Sequence, residues 1–153
     1  MDMTQKIQKK KLILWILIFA WMITIFMFSA QNGDESSELS QGFLRAFILR
    51  FTPDNISEDI VNMMEYIIRK CAHMTEYAIL AFLIYKTIVH IEKSLVKSFI
   101  FTFLYACTDE FHQLFIAGRA GQFRDVCIDS TGALIMILII YIINKRKDKK
   151  IGS

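Results

Sequence analysis

Four long apolar blocks alternate with polar segments along the chain of 153 residues. The blocks cover residues 12–30, 71–89, 98–117 and 126–143, and the first of them contains no charged side chain. At ~1.5 Å per residue the first block would form a helix about 28 Å long, close to the roughly 30 Å of a membrane hydrocarbon core. The pattern therefore predicts an all-α, polytopic membrane protein with four transmembrane helices.

A signal peptide and a soluble helical bundle are two other interpretations of these blocks, and both fit less well. Lys9, Lys10 and Lys11 would suit the start of a signal peptide, but the block that follows is longer than a usual signal core. Phe28 also stands where a cleavage site needs a small residue. A soluble helical bundle is disfavoured because the first and last blocks are apolar around the whole helix and lack a polar face.

The connection between the first two spans, residues 31–70, is long and acidic. Its first part has apolar residues at steps of four, at Leu39, Phe43, Phe47 and Phe51. This segment predicts an amphipathic helix in the outer membrane interface, ended by Pro53, because it is too short to span. The next helix is expected to run unbroken from Glu58 into the second span. Without repeats or linkers, residues 1–153 form a single predicted domain.

Composition and charge support this topology. Hydrophobic residues make up 54% of the chain. The three cysteines are too few for a disulfide scaffold, and an odd number cannot all pair within the chain. Twelve of the 18 Lys and Arg residues fall in the N-terminal arm, the connection between spans two and three, and the C-terminal tail. The positive-inside rule then places both termini in the cytoplasm. The basic tail suits contact with the lipid bilayer, and no nucleic-acid partner is expected.

Ionisable residues in spans two, three and four all fall near the predicted outer ends of those spans. A charge at membrane depth costs ~2.5–3.5 kcal/mol on insertion scales, so these groups should face inward and pair with one another. The candidates for catalytic roles are His73, Glu76, Asp109, Glu110, His112 and Asp129. The candidates for ligand binding are Arg69, Lys70, Tyr77, Gln113, Arg119, Arg124 and Asp125.

The chemistry of this cluster stays open at the level of sequence. His73 with Glu76, and Asp109 with His112, are i, i+3 pairs that could ligate a metal, although hydrogen bonding alone explains the same spacing. Glu76 or Asp109 could instead act with a histidine in acid–base catalysis. A purely structural clamp between helices is the third reading. No cofactor is predicted, a divalent metal being the one option that these residues leave open.

Three segments together resemble the VanZ-like family of bacterial membrane proteins: residues 28–40 (FSAQNGDESSELS), 69–81 (RKCAHMTEYAILA) and 108–133 (TDEFHQLFIAGRAGQFRDVCIDSTGA). The positions that match the two later motifs are Lys70, His73, Tyr77, Leu80, Asp109, Glu110, Gln113, Arg119, Asp125, Asp129 and Gly132. Those that match the first motif are Ser29, Gln31, Ser37 and Ser40.

The resemblance implies a multi-pass protein of the bacterial plasma membrane with a role in the cell envelope. The family takes its name from a protein associated with resistance to teicoplanin, a glycopeptide antibiotic with a lipid tail. We therefore expect an outward-facing polar cavity that recognises or modifies a lipid-linked envelope precursor or a lipoglycopeptide, with a contribution to glycopeptide resistance. An intramembrane hydrolase or transferase that depends on a metal or on acid–base groups, and a structural or partner-binding protein, are the alternatives.

Overall fold

The computed structural model of the chain describes residues 3–31, 33–47 and 57–151. Over these residues the chain forms five helices and no strand, which confirms the all-α class. The helices are α1 (Met3–Ser29), α2 (Gly33–Phe47), α3 (Glu58–Ile88), α4 (Ser94–Gln113) and α5 (Phe123–Ile151). The predicted amphipathic segment forms α2, while its expected end at Phe51 and Pro53 lies outside the described residues. Helix α3 begins at Glu58 and continues without a break, as predicted.

The third predicted span is too long at its C-terminal end, because α4 ends at Gln113 and not at Ala117. The backbone N–H groups of Phe115 and Ile116 donate to carbonyl oxygens three residues earlier, at 3.0 and 3.2 Å, so the chain tightens into turns. Gly118 then adopts a φ of 73°, a conformation that glycine accepts without steric cost. The apolar residues of the sequence continue past the end of α4. They do not extend the core, because Phe115 is 73% exposed and faces away from the bundle.

Helix α3 is the centre of the bundle and packs against each of the other four helices. The larger buried cluster consists of Ile18, Ile25, Tyr77, Leu80, Ala106 and Val126, which come from α1, α3, α4 and α5. A smaller cluster joins Ala81 of α3 to Ala133 and Ile137 of α5. Burial on α3 follows the three- and four-residue steps of a helix face, and the polar residues one or two turns earlier continue the same stripe.

Large apolar side chains also face outward, above all on α1 and α5. Helical segments Gln5–Ser29 and Phe123–Lys150 are long and apolar enough to cross a membrane by length and composition. The first of them lies near the N-terminus, where a signal sequence would meet the same criterion. Within the described residues α3 and α4 do not meet it, since they carry more polar residues, so the predicted set of four spans is not confirmed by this test.

Helices α3 and α5 cross at Gly132. A Cβ atom built on Gly132 would overlap the backbone carbonyl of Met74 on α3, so a side chain there is sterically excluded. Glycine at this position therefore allows the two backbones to meet, and the contact lies next to Asp129, one turn earlier on α5. The close crossing positions the polar residues at this end of α5 against α3.

We expect Gly132→Ala to lower the thermal stability of the purified protein, because the added methyl group forces the two helices apart. Overpacking of this kind typically costs about 1–3 kcal/mol. The matched control is Gly42→Ala on α2, where a Cβ atom would meet nothing within 4 Å and alanine favours the helix. Melting curves in detergent should show a loss only for the first variant. Equal melting of Gly132→Ala and the unsubstituted protein would contradict the close crossing.

Candidate functional site

A groove of about 580 Å³ opens at one end of the bundle, between the C-terminal end of α1, helix α2 and the N-terminal half of α3. One wall is apolar, and its largest members are Phe28, Leu39, Phe43 and Ile68. Ionisable side chains also line it: Arg69, His73 and Glu76 from α3, and Arg119 from the α4–α5 connection. We call this feature the α2 groove. It is an amphipathic surface, since an apolar wall lies beside charged groups.

The α3 side of the groove is a stripe of ionisable residues at helical spacing. Arg69, His73 and Glu76 follow one another at steps of four and three residues, so they share a face of α3. His73 Nδ1 lies 3.7 Å from Glu76 Oε2, and both side chains are 16% exposed. That distance exceeds a hydrogen bond, and neither atom has a hydrogen-bond partner among the described residues. Both residues line the groove, and these two atoms are buried in its wall without a hydrogen-bond partner among the described residues.

Arg119 connects the groove to the end of α1. Its Nε donates to the carbonyl of Gln31 at 3.1 Å, and its Nη2 donates to the carbonyl of Phe28 at 3.3 Å. These carbonyls lie at the end of a helix, where backbone acceptors lack intrahelical donors. Burial, and next the nearby Arg69, lower the pKa of the Arg119 guanidinium, which stays charged at neutral pH. Two of its five N–H groups are used in these bonds, which leaves donors for an anion.

Behind the groove wall lies a second, buried set of polar side chains. The Tyr77 hydroxyl donates to Asp109 Oδ2 at 3.0 Å, and this bond ties α3 to α4. Tyr77 is fully buried, and Asp109, Gln113 and Asp129 are at most 5% exposed. Asp109 Oδ1 and Asp129 Oδ2 have no hydrogen-bond partner among the described residues. None of these four side chains lines the α2 groove.

Two further contacts tie the same end of the bundle together. Lys70 Nζ lies 2.8 Å from Asp125 Oδ1, which pairs α3 with α5. Glu110 Oε2 accepts a hydrogen bond from the backbone N–H of Gln122 at 3.1 Å, which fixes the α4–α5 connection. We call these two contacts and the Tyr77–Asp109 bond the polar clamp. The clamp links α3, α4 and α5 at the end of the bundle that carries the groove.

Two of the candidate residues belong neither to the α2 groove nor to the polar clamp. The Arg124 side chain is 64% exposed and does not line the groove, although its Nε lies 3.8 Å from Asp125 Oδ1 of the clamp. The His112 ring packs on Phe26 of α1, with ring centroids 4.4 Å apart and planes at 34°. Within the described ranges, no group of three or more His, Cys, Asp or Glu residues is arranged to hold a metal ion. The divalent metal, with His73, Glu76, Asp109 and His112 as ligands, stays a prediction.

Helix α1 contributes contacts that the sequence did not indicate. Trp21 Nε1 donates to the backbone carbonyl of Glu76 at 2.9 Å, and the Tyr105 hydroxyl donates to the carbonyl of Met22 at 2.6 Å. Both bonds hold α1 against the polar stripe of α3 and against α4. The sequence signal is absent because the acceptors are backbone carbonyls and Trp21 lies inside a charge-free block.

Comparison with known proteins gives one family. The family model described as VanZ/LLP1 matches residues 14–144, a range that contains both the α2 groove and the polar clamp. No curated protein and no solved structure matches the chain.

We expect Tyr77→Phe to destabilise the protein by roughly 1–3 kcal/mol, because the Asp109 carboxylate loses a buried donor. Thermal or denaturant unfolding in detergent measures the loss. The double variant with Asp109→Ala, which removes the acceptor, should lose less stability than the two single variants lose together, since both changes remove the same bond. Tyr141→Phe, at a residue that is 50% exposed, is the matched control and should change little. Strictly additive losses for Tyr77 and Asp109 would argue against a clamp.

Proposed function

The chain belongs to the VanZ-like family, and we propose that it is a four-span integral protein of the bacterial plasma membrane. In this arrangement α1, α3, α4 and α5 span the bilayer, both termini are cytoplasmic, and the α2 groove faces outward. The concentration of basic residues at the opposite end supports this orientation. The apolar helices α1 and α5 support a membrane location independently of charge.

The surface of α4 supports its assignment as a span despite its polar residues. Phe101, Leu104 and Phe111 are 60%, 53% and 63% exposed, so they present an apolar face away from the bundle. Asp109 and Glu110 are buried at 3% and 6% exposure. An apolar exterior with carboxylates turned inward is the arrangement that a lipid environment favours. A test based on composition alone does not identify such a helix as a span, because the inward-facing polar residues lower its mean hydropathy.

The ligand that best fits the α2 groove is a lipid-linked or lipid-tailed molecule of the cell envelope. The observation that carries this proposal is the adjacency of apolar side chains and arginines in one groove. Leu39 and Phe43 of α2 are 57% and 51% exposed beside it, which provides a surface for an acyl or isoprenoid chain. Arg69 and Arg119 offer guanidinium groups, which suit phosphate or carboxylate because of their planar, multiple donors.

The finer role within this proposal is a contribution to resistance against teicoplanin-type glycopeptides. An amphipathic groove could hold either the antibiotic, through its lipid tail, or a lipid-linked precursor that the antibiotic targets. In both cases the apolar chain would lie along α2, and the anionic part would lie at Arg119. The polar clamp then serves as the scaffold that keeps α3 and the α4–α5 connection in place.

A second candidate function is hydrolysis or group transfer, and the observation that favours it is the His73–Glu76 pair. These two residues face the groove with buried nitrogen and oxygen atoms that have no hydrogen-bond partner among the described residues. A histidine and a carboxylate that lie one helical turn apart at a binding groove suit proton transfer to or from a bound ligand. The buried carboxylates Asp109, Glu110 and Asp129 would act on this pair through their charge, since they lie behind the groove.

We expect the purified protein to bind teicoplanin more tightly than the same glycopeptide without its acyl chain. Arg119→Gln should weaken binding about tenfold, because a hydrogen-bonded charged group contributes roughly 1.5–3 kcal/mol. Arg124→Gln removes the same charge at an exposed position in the first turn of α5, outside the groove, and it should leave the affinity unchanged. Melting curves separate a binding defect from loss of the Arg119 contacts to α1. Equal affinity for the two glycopeptides, or equal effects of the two substitutions, would contradict recognition at the groove.

We expect cells that produce the protein to tolerate more teicoplanin than cells that produce Arg119→Gln at the same membrane level. Arg124→Gln should retain the tolerance. If the protein is an enzyme that alters the antibiotic, the mass of the recovered teicoplanin changes, and Glu76→Gln abolishes this change while binding persists. Unchanged antibiotic together with intact tolerance in Glu76→Gln would dismiss the enzymatic candidate for this ligand.

A further inference from the structure

A second cavity, of about 740 Å³, opens at the other end of α3. Its walls come from the N-terminal part of α1, the C-terminal end of α3 and the C-terminal half of α5. Lys10, Lys11, Lys86 and Lys147 all line it, and no Asp or Glu is among its lining residues. We call it the lysine pocket. Three helices that are far apart in sequence thus bring four ammonium groups to one cavity.

The lysines of this pocket have no compensating acid among the described residues. None of the four forms an ion pair with a described carboxylate. Lys86 Nζ lies 5.4 Å from the centroid of the Phe82 ring, a contact that holds this ammonium group against the pocket wall. Like charges gathered around one cavity repel one another, and a bound anion relieves that repulsion.

The pocket also has apolar lining residues. Leu14, Phe82, Ile140 and Ile143 line it together with the lysines. Tyr85, only 7% exposed, accepts a hydrogen bond from Asn144 Nδ2 at 2.8 Å through its hydroxyl oxygen. The proton of that hydroxyl has no acceptor among the described residues. Because Tyr85 lines the cavity, its O–H can donate to an oxygen-bearing ligand there.

We propose that the lysine pocket binds the phosphate headgroup of an anionic phospholipid, with an acyl chain along Phe82, Ile140 and Ile143. Phosphate matches the ammonium groups and accepts from the Tyr85 hydroxyl, and the apolar surface distinguishes a lipid from free phosphate. Lys86 follows His73 by 13 residues on α3, about 20 Å along the helix axis, so this site is separate from the α2 groove. In the proposed topology the pocket lies in the cytoplasmic leaflet, where anionic lipids act on basic residues.

The bound lipid would have a definite structural effect. It would neutralise the arm at the start of α1 and the tail of α5 together, and so hold both against the end of α3. Since α1 also contacts Arg119 through its other end, a lipid in the lysine pocket would stabilise the helix on which the α2 groove depends.

The test is a titration of the detergent-solubilised full chain, followed by native mass spectrometry. The probes are phosphatidylglycerol, zwitterionic phosphatidylcholine and water-soluble glycerol phosphate. The pocket variant carries Lys10→Gln, Lys11→Gln, Lys86→Gln and Lys147→Gln. The control variant carries Lys6→Gln, Lys97→Gln, Lys149→Gln and Lys150→Gln, which lowers the net charge equally at residues outside the pocket lining. Melting curves confirm that each variant is folded, and Lys86→Gln alone serves if the fourfold pocket variant is not.

We expect one phosphatidylglycerol molecule to bind in preference to phosphatidylcholine. The pocket variant should lose at least about tenfold in affinity, because it removes four positive charges that attract the anionic headgroup, while the control should retain its affinity. Equal losses in the two variants would overturn the pocket in favour of net charge alone. Glycerol phosphate binding as tightly as the lipid would overturn the assignment to a phospholipid. Arg119→Gln should not affect this binding, so failure here and failure of the α2 groove are distinguishable.

Discussion

Polar groups at the centre of a helical bundle need partners there, and in this protein the buried Tyr77–Asp109 hydrogen bond between α3 and α4 is the contact on which the arrangement of the polar residues depends. Both residues are buried, and a buried polar group left without its hydrogen-bond partner costs about 1–3 kcal/mol of stability. The bond fixes α3 against α4, and two helical turns earlier on α3 Lys70 pairs with Asp125 of α5. His73 of the groove lies between these two contacts on α3, so they hold this part of the helix in place.

The polar residues divide into two groups with different positions. One group, in the polar clamp, has its partners inside the protein and joins α3, α4 and α5. The other group, with His73, Glu76 and Arg119, faces the α2 groove and retains donors and acceptors for a ligand. This division reconciles two interpretations that the sequence left as alternatives, a structural clamp and a recognition site. The binding proposal rests on the second group, while its geometry depends on the first.

Apolar periodicity was enough to predict the helices, the unbroken α3 and the stripe that contains His73 and Glu76. It failed at the end of α4, since an outward-facing apolar run does not reveal that Gly118 has turned the chain. It could not predict that Arg119 lines the groove and Arg124 does not, because the turns of the α4–α5 connection decide which arginine reaches α1. The contributions of α1 were invisible for a physical reason, since backbone carbonyls have no side-chain signature. The lysine pocket likewise required the three-dimensional meeting of α1, α3 and α5.

Recognition of a cell-envelope molecule requires that the end of the bundle with the α2 groove faces the outside of the cell. The direct measurement is labelling by a membrane-impermeant maleimide in a background with Cys71, Cys107 and Cys127 replaced by alanine. Arg124→Cys, at an exposed position near the start of α5 and at the same end of the bundle as the groove, should be labelled in intact cells. Lys150→Cys, in the basic tail, should be labelled only after the cells are permeabilised. The reverse pattern would contradict the account, because it would place the groove in the cytoplasm.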